Sequence, residues 1–185
     1  MNKRSVLAVA VALMFGFSAL HASAQKDPMV GGAAMYPTKN IVENAVNSKD
    51  HTTLVAAVKA AGLVDTLESP GPFTVFAPTN EAFDKLPAGT VDTLLKPENL
   101  AQLKKILTYH VVAGNLTAKD IAKQIKAGGG KATLTTVEGG TLTAMMQGGK
   151  LVLTDEKGGT ATVTIANVFQ SNGVIHVIDT VLMPN

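Results

Sequence analysis

Phe73-Thr74-Val75-Phe76-Ala77-Pro78-Thr79-Asn80-Glu81-Ala82-Phe83 is the stretch that decides how this chain is read. Its first four residues are aromatic or β-branched, the composition of a short buried strand, and Pro78, which has no N–H to give, ends it. A helix follows at once. Thr79 stands where an N-cap hydroxyl accepts from a free backbone N–H, Glu81 suits the positive end of the helix, and Phe83 is placed to fold back on the strand. A strand-to-helix corner of this kind anchors a core. It holds neither a nucleophile–base pair nor a metal-ligand pair, so its chemistry is packing.

Upstream of the corner the pattern is helical. Thr38 can cap a helix through Val46, with Ile41, Val42 and Ala45 on one face, and Ser48 or Asp50 can cap a second running to Ala61. Leu54, Val55, Val58 and Ala61 share the inner face of that second helix, and Gly62 stops it. Leu63–Leu67 adds a further turn, and Pro70-Gly71-Pro72 makes a rigid loop into the strand. Downstream, a short turn through Val91, Leu94 and Leu95 leads to Pro97, which opens a helix with the stripe Leu100, Leu103, Ile106, Leu107 and Tyr109. Tyr109-His110-Val111-Val112 reads as helix end and strand start. Asn115-Leu116-Thr117 with Asp120 turns into a last helix, Ala118–Ile125, and its match to a glycosylation sequon reads as incidental.

Beyond Gly128 the period changes to that of strands. Lys131–Val137, Thr141–Gln147, Lys150–Asp155, Ala161–Phe169 and Val174–Leu182 are rich in Thr, Val, Ile and Leu and are separated by glycine turns. Gly148-Gly149 and Asn172-Gly173 are expected to supply the positive φ angles of tight hairpins. The expected class is α+β: helices mainly in the N-terminal half, then a mostly antiparallel sheet of six or seven strands.

The chain ends and the composition set the context. Lys3 and Arg4 precede an apolar run from Val6 to Leu20, and Ala22-Ser23-Ala24 has the small residues of a signal-peptidase site, so residues 1–24 read as a signal peptide cleaved before Gln25. No later stretch approaches the roughly 20 apolar residues that a membrane span needs. Residues 25–37, without periodicity, read as a flexible leader, and the single domain is placed at 38–185. Removing Lys3 and Arg4 from the 16 basic residues leaves 14 lysines against 14 acids, and no arginine. The lysines read as scattered, so nucleic acid is not an expected partner. With no cysteine in the chain, disulfides, thiol catalysis and thiolate metal sites are excluded, and the core alone must stabilise the fold.

Three stretches carry a family likeness in their order and spacing. The Phe73–Phe83 corner, Tyr109-His110-Val111-Val112, and Asn172-Gly173-Val174-Ile175-His176-Val177-Ile178-Asp179-Thr180-Val181-Leu182-Met183-Pro184 closely resemble the fasciclin domain, over roughly Tyr36 to Pro184. The resemblance implies a β-wedge or sandwich of about seven strands with several helices, in an exported protein, periplasmic or extracellular. It also implies adhesion or protein interaction rather than chemistry, with a cell-surface or matrix protein or glycan as partner and no cofactor. In animal members of the family, integrin contacts are attributed to a Tyr-His pair with flanking apolar residues, matched here by Tyr109, His110, Val111 and Val112. A second attributed site, an Asp-Ile pair, reads Asn167-Val168 here and lacks its carboxylate.

Each candidate has a structural reading as well. Tyr109 and His110 can tie down helix-end carbonyls, or anchor a partner if exposed. His176, on one face with Val174 and Ile178, reads as a core histidine bonded to a carbonyl, and Asp179 as a hydrogen-bonded carboxylate near the Thr79-Asn80 corner. Phe73, Phe76, Pro78, Thr79, Asn80, Phe83, Asn172, Gly173, His176, Asp179 and Pro184 are the expected structural motif. No Gly-x-Ser-x-Gly elbow surrounds Ser48, Ser69 or Ser171, and His51, His110 and His176 lack the spacing of a zinc site, so no enzyme is expected. An alternative function is carriage of an apolar small molecule such as a carotenoid or lipid. Met145 and Met146, one inside the sheet and one outside, would then line a groove with Met183.

Overall fold

The computed structural model describes residues 27–185; the signal peptide expected at 1–24 and its cleavage point lie outside the described residues. Nine strands and seven helices follow. A small hairpin, β1 (Met29–Val30) with β2 (Ala33–Ala34), precedes the helices α1 (Ile41–Ala45), α2 (Thr52–Ala60) and α3 (Val64–Glu68). Strand β3 (Phe73–Pro78) is followed by α4 (Asn80–Asp84), α5 (Thr90–Leu94) and α6 (Leu100–Tyr109), then β4 (Val111–Ala113) and α7 (Ala118–Ala127). Five strands complete the chain: β5 (Ala132–Thr135), β6 (Thr141–Gln147), β7 (Lys150–Thr154), β8 (Thr160–Gln170) and β9 (Gly173–Ile178).

The corner forms as its residues dictate. Thr79 caps α4 by accepting from the Ala82 N–H, and Phe76 and Phe83 are buried. Asn80 extends the corner: its Oδ1 accepts from the Thr53 N–H at 3.0 Å and its Nδ2 donates to the Lys49 carbonyl at 2.8 Å. It therefore satisfies one of the free donors that begin α2, from another element. Asn40 closes a capping box with Glu43 at α1, and Thr117 with Asp120 at α7, each supplying two orphan groups with partners.

The seven long-range strands form one mixed sheet in the order β4-β3-β9-β8-β7-β6-β5, in which only β3 and β9 run parallel. Its ends meet. Val112 of β4 bridges to Thr136, and the Val137 N–H donates to the Val111 carbonyl at 2.7 Å, so the sheet nearly closes into a barrel. One apolar cluster lies between helices α1–α6 and strands β3, β4, β8 and β9, with Val75, Ile106, Val168 and Ile175 among its members. A second lies between α7 and strands β5–β8, with Phe76 of β3, Tyr109 of α6 and Ile178 of β9 reaching into it beside Ile121, Leu142 and Leu153.

Two expectations are corrected here. Residues 25–37 are not a free leader over their described part: Val30 and Met35 are buried, the Lys49 N–H donates to the Gly31 carbonyl at 3.1 Å, and Asn44 exchanges hydrogen bonds with the backbone of Tyr36. Burial of two apolar side chains is enough to fasten a segment too short to show a period. The second concerns Asn172-Gly173. The Gly148-Gly149 turn does take positive φ, +55° and +80°, but neither Asn172 nor Gly173 is among the positive-φ residues. Instead the Asn172 side chain accepts from the Ile41 N–H at 3.1 Å and donates to the Leu67 and Ser69 carbonyls at 2.7 and 3.0 Å. Gly173 is a glycine because a Cβ there would overlap the Phe73 carbonyl oxygen where β9 runs against β3.

Candidate functional site

The Tyr109–His110 junction sits at the meeting of α6, β4, the β6 strand and the C-terminal tail. Tyr109 closes α6 and is fully buried, and its hydroxyl donates to the Thr141 carbonyl at 2.6 Å and accepts from the Glu156 N–H at 3.2 Å. Burial pushes this phenol up to about 12, against the opposing effect of the Glu156 N–H. The hydroxyl therefore ties two β connections together, not the helix-end carbonyls expected of it. His110 takes that role: its Nδ1 lies 2.8 Å from the Ile106 carbonyl, and its Nε2 accepts from the Leu182 N–H at 3.0 Å. Because Nε2 accepts, Nδ1 carries the proton. Burial holds the imidazole neutral, lowering its pKa to about 4 despite the Ile106 carbonyl.

Val111 and Val112 are buried in β4 beside them. An anchor for a partner has to be presented at the surface, and none of the four side chains is, so contact through Tyr109, His110, Val111 and Val112 would require the domain to open. The second attributed position is internal as well. Val168 is buried, and Asn167, in left-handed conformation at φ +59° within a bulge of β8, accepts the Ala118 N–H at 2.8 Å.

His176 is fully buried, stacks on Phe76 with ring centroids 5.6 Å apart, and bonds the Leu116 carbonyl through Nε2 at 2.8 Å. Burial lowers its pKa against that bond. Asp179 accepts from the Thr162 N–H at 2.8 Å, and the neighbouring Ile178 carbonyl accepts from the Thr79 N–H, which places the carboxylate at the corner. Burial pulls its pKa up, but the hydrogen bonds from Thr162 and Thr180 and the Lys85 charge together bring it below the usual carboxylate value. Asp155 holds the end of the fold, accepting from the Met183 N–H at 2.9 Å. Phe73 is half-buried on β3, and Pro184 is buried in the tail that follows.

The methionines do not form the expected groove. Met146 is 46% exposed, Met145 is half-buried and receives the Gln147 amide at its sulfur, and neither they nor Met183 line the apolar cavity beneath α1–α3. The surface instead shows a feature that composition concealed. On α7, Ile121 and Ile125 are buried while Lys119, Lys123 and Lys126 are exposed; at 100° per residue the three lysines fall within one narrow arc opposite the isoleucines. Among the described residues, only Lys123 of the three has a carboxylate within 4 Å, Asp120 at 3.7 Å. The lysines of this helix are not scattered. Their spacing of four and three was legible in the sequence once the helix was placed.

Comparison with known proteins yields three findings. The model of the Fasciclin domain matches residues 49–184. Protein sll1483 of Synechocystis sp. is 49% identical over 161 residues, 86% of this chain and 82% of its own, and the cell surface glycolipoprotein MPB83 of Mycobacterium bovis is 34% identical over 86% of this chain and 61% of its own. The FAS1 domain pair of the insect cell adhesion molecule Fasciclin I superposes with a TM-score of 0.69 at 22% identity, covering 78% of this chain and about half, 51%, of that one.

Proposed function

Because this chain belongs to the fasciclin domain family, we propose that it is an exported, non-catalytic adhesion or interaction module that engages an anionic glycan of a cell surface or matrix through the lysine face of α7. The observation that carries the reading is the family match over residues 49–184. It is supported by the relationship to a cell surface glycolipoprotein and, for fold alone, by the likeness to a domain pair of a cell adhesion molecule. Tyr109, His110 and His176 act in this reading as internal fasteners, since their polar atoms are occupied by backbone partners.

Two properties of the closed domain favour side chains over strand addition as the means of contact. The sheet ends are joined through Val112 and Thr136, which leaves little backbone edge for a partner to extend. Ammonium groups on long stems, held on a helix fastened by Ile121 and Ile125, offer instead a row of point charges suited to spaced carboxylates or sulfates. Such binding weakens as salt shortens the Debye length from about 10 Å at 0.1 M to about 3 Å at 1 M. The test is retention of purified protein on host envelope material and on an anionic polysaccharide resin, beside a Lys119→Gln/Lys123→Gln/Lys126→Gln variant. Salt-sensitive retention lost in the variant, with an unchanged melting temperature, is the expected outcome. Equal retention of both proteins would remove α7 from the interface.

A further inference from the structure

Between the β1–β2 hairpin, helices α1–α3 and the β3–β9 face lies a cavity of about 50 Å³ whose walls are almost entirely hydrocarbon. Val30 and Met35 from the hairpin, Ile41 and Val58 from the helices, and Val75 and Ile175 from the sheet contribute to it. Two further lining residues, Val55 and Val64, are only half-buried and Lys59 is exposed, so the rim lies where α2 and α3 meet solvent. At roughly 10–15 Å³ for each water-sized group, the space takes about three to five such groups. A carotenoid polyene exceeds it many times over.

The cavity has one polar flaw. His51 lines it, is only 4% exposed, and its Nε2 has no hydrogen-bond partner among the described residues. The other ring nitrogen, Nδ1, lies 2.8 Å from the Ser48 hydroxyl. Burial lowers the pKa of the ring; the Ala77 backbone carbonyl opposes that, yet lies outside hydrogen-bonding geometry of Nε2. Satisfiability selects the tautomer: were Nδ1 to donate, the buried Ser48 O–H and Nε2 would both lack partners, whereas with Ser48 donating to Nδ1 only the Nε2–H is left with nothing to receive it. A buried donor without an acceptor forfeits its hydration with nothing in return, so an acceptor placed there is favoured. Of the other polar lining residues, Ser48 is engaged with His51, His110 uses both nitrogens on Ile106 and Leu182, and Lys59 is exposed at the rim. Water alone suits such a space poorly, because a buried water holds about three hydrogen bonds and these walls offer one free donor.

We propose that this cavity is a binding site for a small, mostly hydrocarbon molecule bearing one acceptor oxygen, such as a short-chain ketone, whose oxygen receives the His51 Nε2–H while its carbon atoms fill the space among Val58, Ile175 and Met35. The hairpin is part of the site, since Val30 and Met35 form one wall and the Lys49 N–H to Gly31 carbonyl bond holds it down. The site is independent of the lysine face of α7 and of any glycan bound there.

The probe is 2-butanone, set against 2-methylbutane, a hydrocarbon of nearly the same shape. Titration of the purified protein with each, followed by methyl and imidazole nitrogen NMR, is expected to give saturable shifts at Val58, Ile175 and His51 Nε2 with the ketone, and weaker binding of the hydrocarbon by about tenfold, the worth of one buried hydrogen bond. Ala45→Leu, which places a larger side chain at the lining, should abolish the shifts while the protein melts as a folded domain. His51→Phe should erase the preference for the ketone. The proposal is overturned if the shifts are absent or persist in Ala45→Leu, if ketone and hydrocarbon bind equally in the unaltered protein, or if Nε2 is found bonded to an ordered water that 2-butanone does not displace.

Discussion

The two halves of the interior are packed differently. The half beneath α7 is closed by a continuous run of strands, and its large side chains Phe76, Tyr109, Ile121, Leu142, Leu153 and Ile178 are essentially without exposure, with both polar tips of Tyr109 and His176 engaged. The half beneath α1–α3 holds the cavity and the unpartnered His51 Nε2. Its walls come from separate pieces: α1 and α3 are five residues each, and the hairpin strands two each. Strand pairing fixes side chains on a common lattice, whereas short helices approach at independent angles, and close packing has to be won at every junction. Slack therefore collects where the elements are shortest.

Phe76 stands on the boundary, belonging to the dense cluster while also lining the cavity. Phe76→Ala would join the two interiors and is expected to cost about 3–5 kcal/mol, read from urea unfolding; a loss under about 1 kcal/mol would mean that the dense half is not dense. Acid comes next. A histidine whose folded pKa lies below its unfolded value of 6.5 binds protons more readily when unfolded, so the stability is whole above pH 6.5 and is lost as the pH falls towards 4. From His110 alone, a drop from pH 7 to pH 5 should remove about 2 kcal/mol, and the burial of His51 and His176 acts in the same direction. A urea midpoint unchanged between those pH values would contradict the burial of all three rings.

Smaller effects refine the contrast. Tyr109→Phe keeps the ring but leaves the Thr141 carbonyl and the Glu156 N–H without their shared partner; an expected cost of about 1–2 kcal/mol would appear in the unfolding midpoint. The same deletion at an exposed tyrosine, Tyr36→Phe, should change stability by less than about 0.5 kcal/mol. Equal costs at the two tyrosines would show that the fastening of α6 to the β connections contributes little.

How much of this was legible depended on the range of each constraint. The Phe73–Phe83 corner was readable because its strand formers, terminating proline and cap follow one another within eleven residues. The Thr117 cap and the strands from Thr141 onward were local in the same sense. Gly173 was misread because the atom that excludes a side chain there belongs to Phe73, a hundred residues earlier, and neighbouring residues give no sign of it. Tyr109 and His110 carried a likeness to a contact site, but exposure depends on Leu182, Thr141 and Glu156, which arrive from elsewhere in the chain. The fastening of residues 28–36 rests on Val30, Met35 and backbone bonds to Lys49 and Asn44, too few for any periodic signal.

The joining of Val111 and Val112 to Thr136 and Val137 also bears on how long such a protein lasts. A domain with no cysteine has no disulfide cross-link, so each partial opening is a chance to be captured by a second copy. Fibres grow by adding strands to an unsatisfied row of amides. Here that row is occupied by the sheet's own opposite end, so polymerisation through it has to wait for β4 and β5 to part, and the durability of the fold under crowding is set by that single seam.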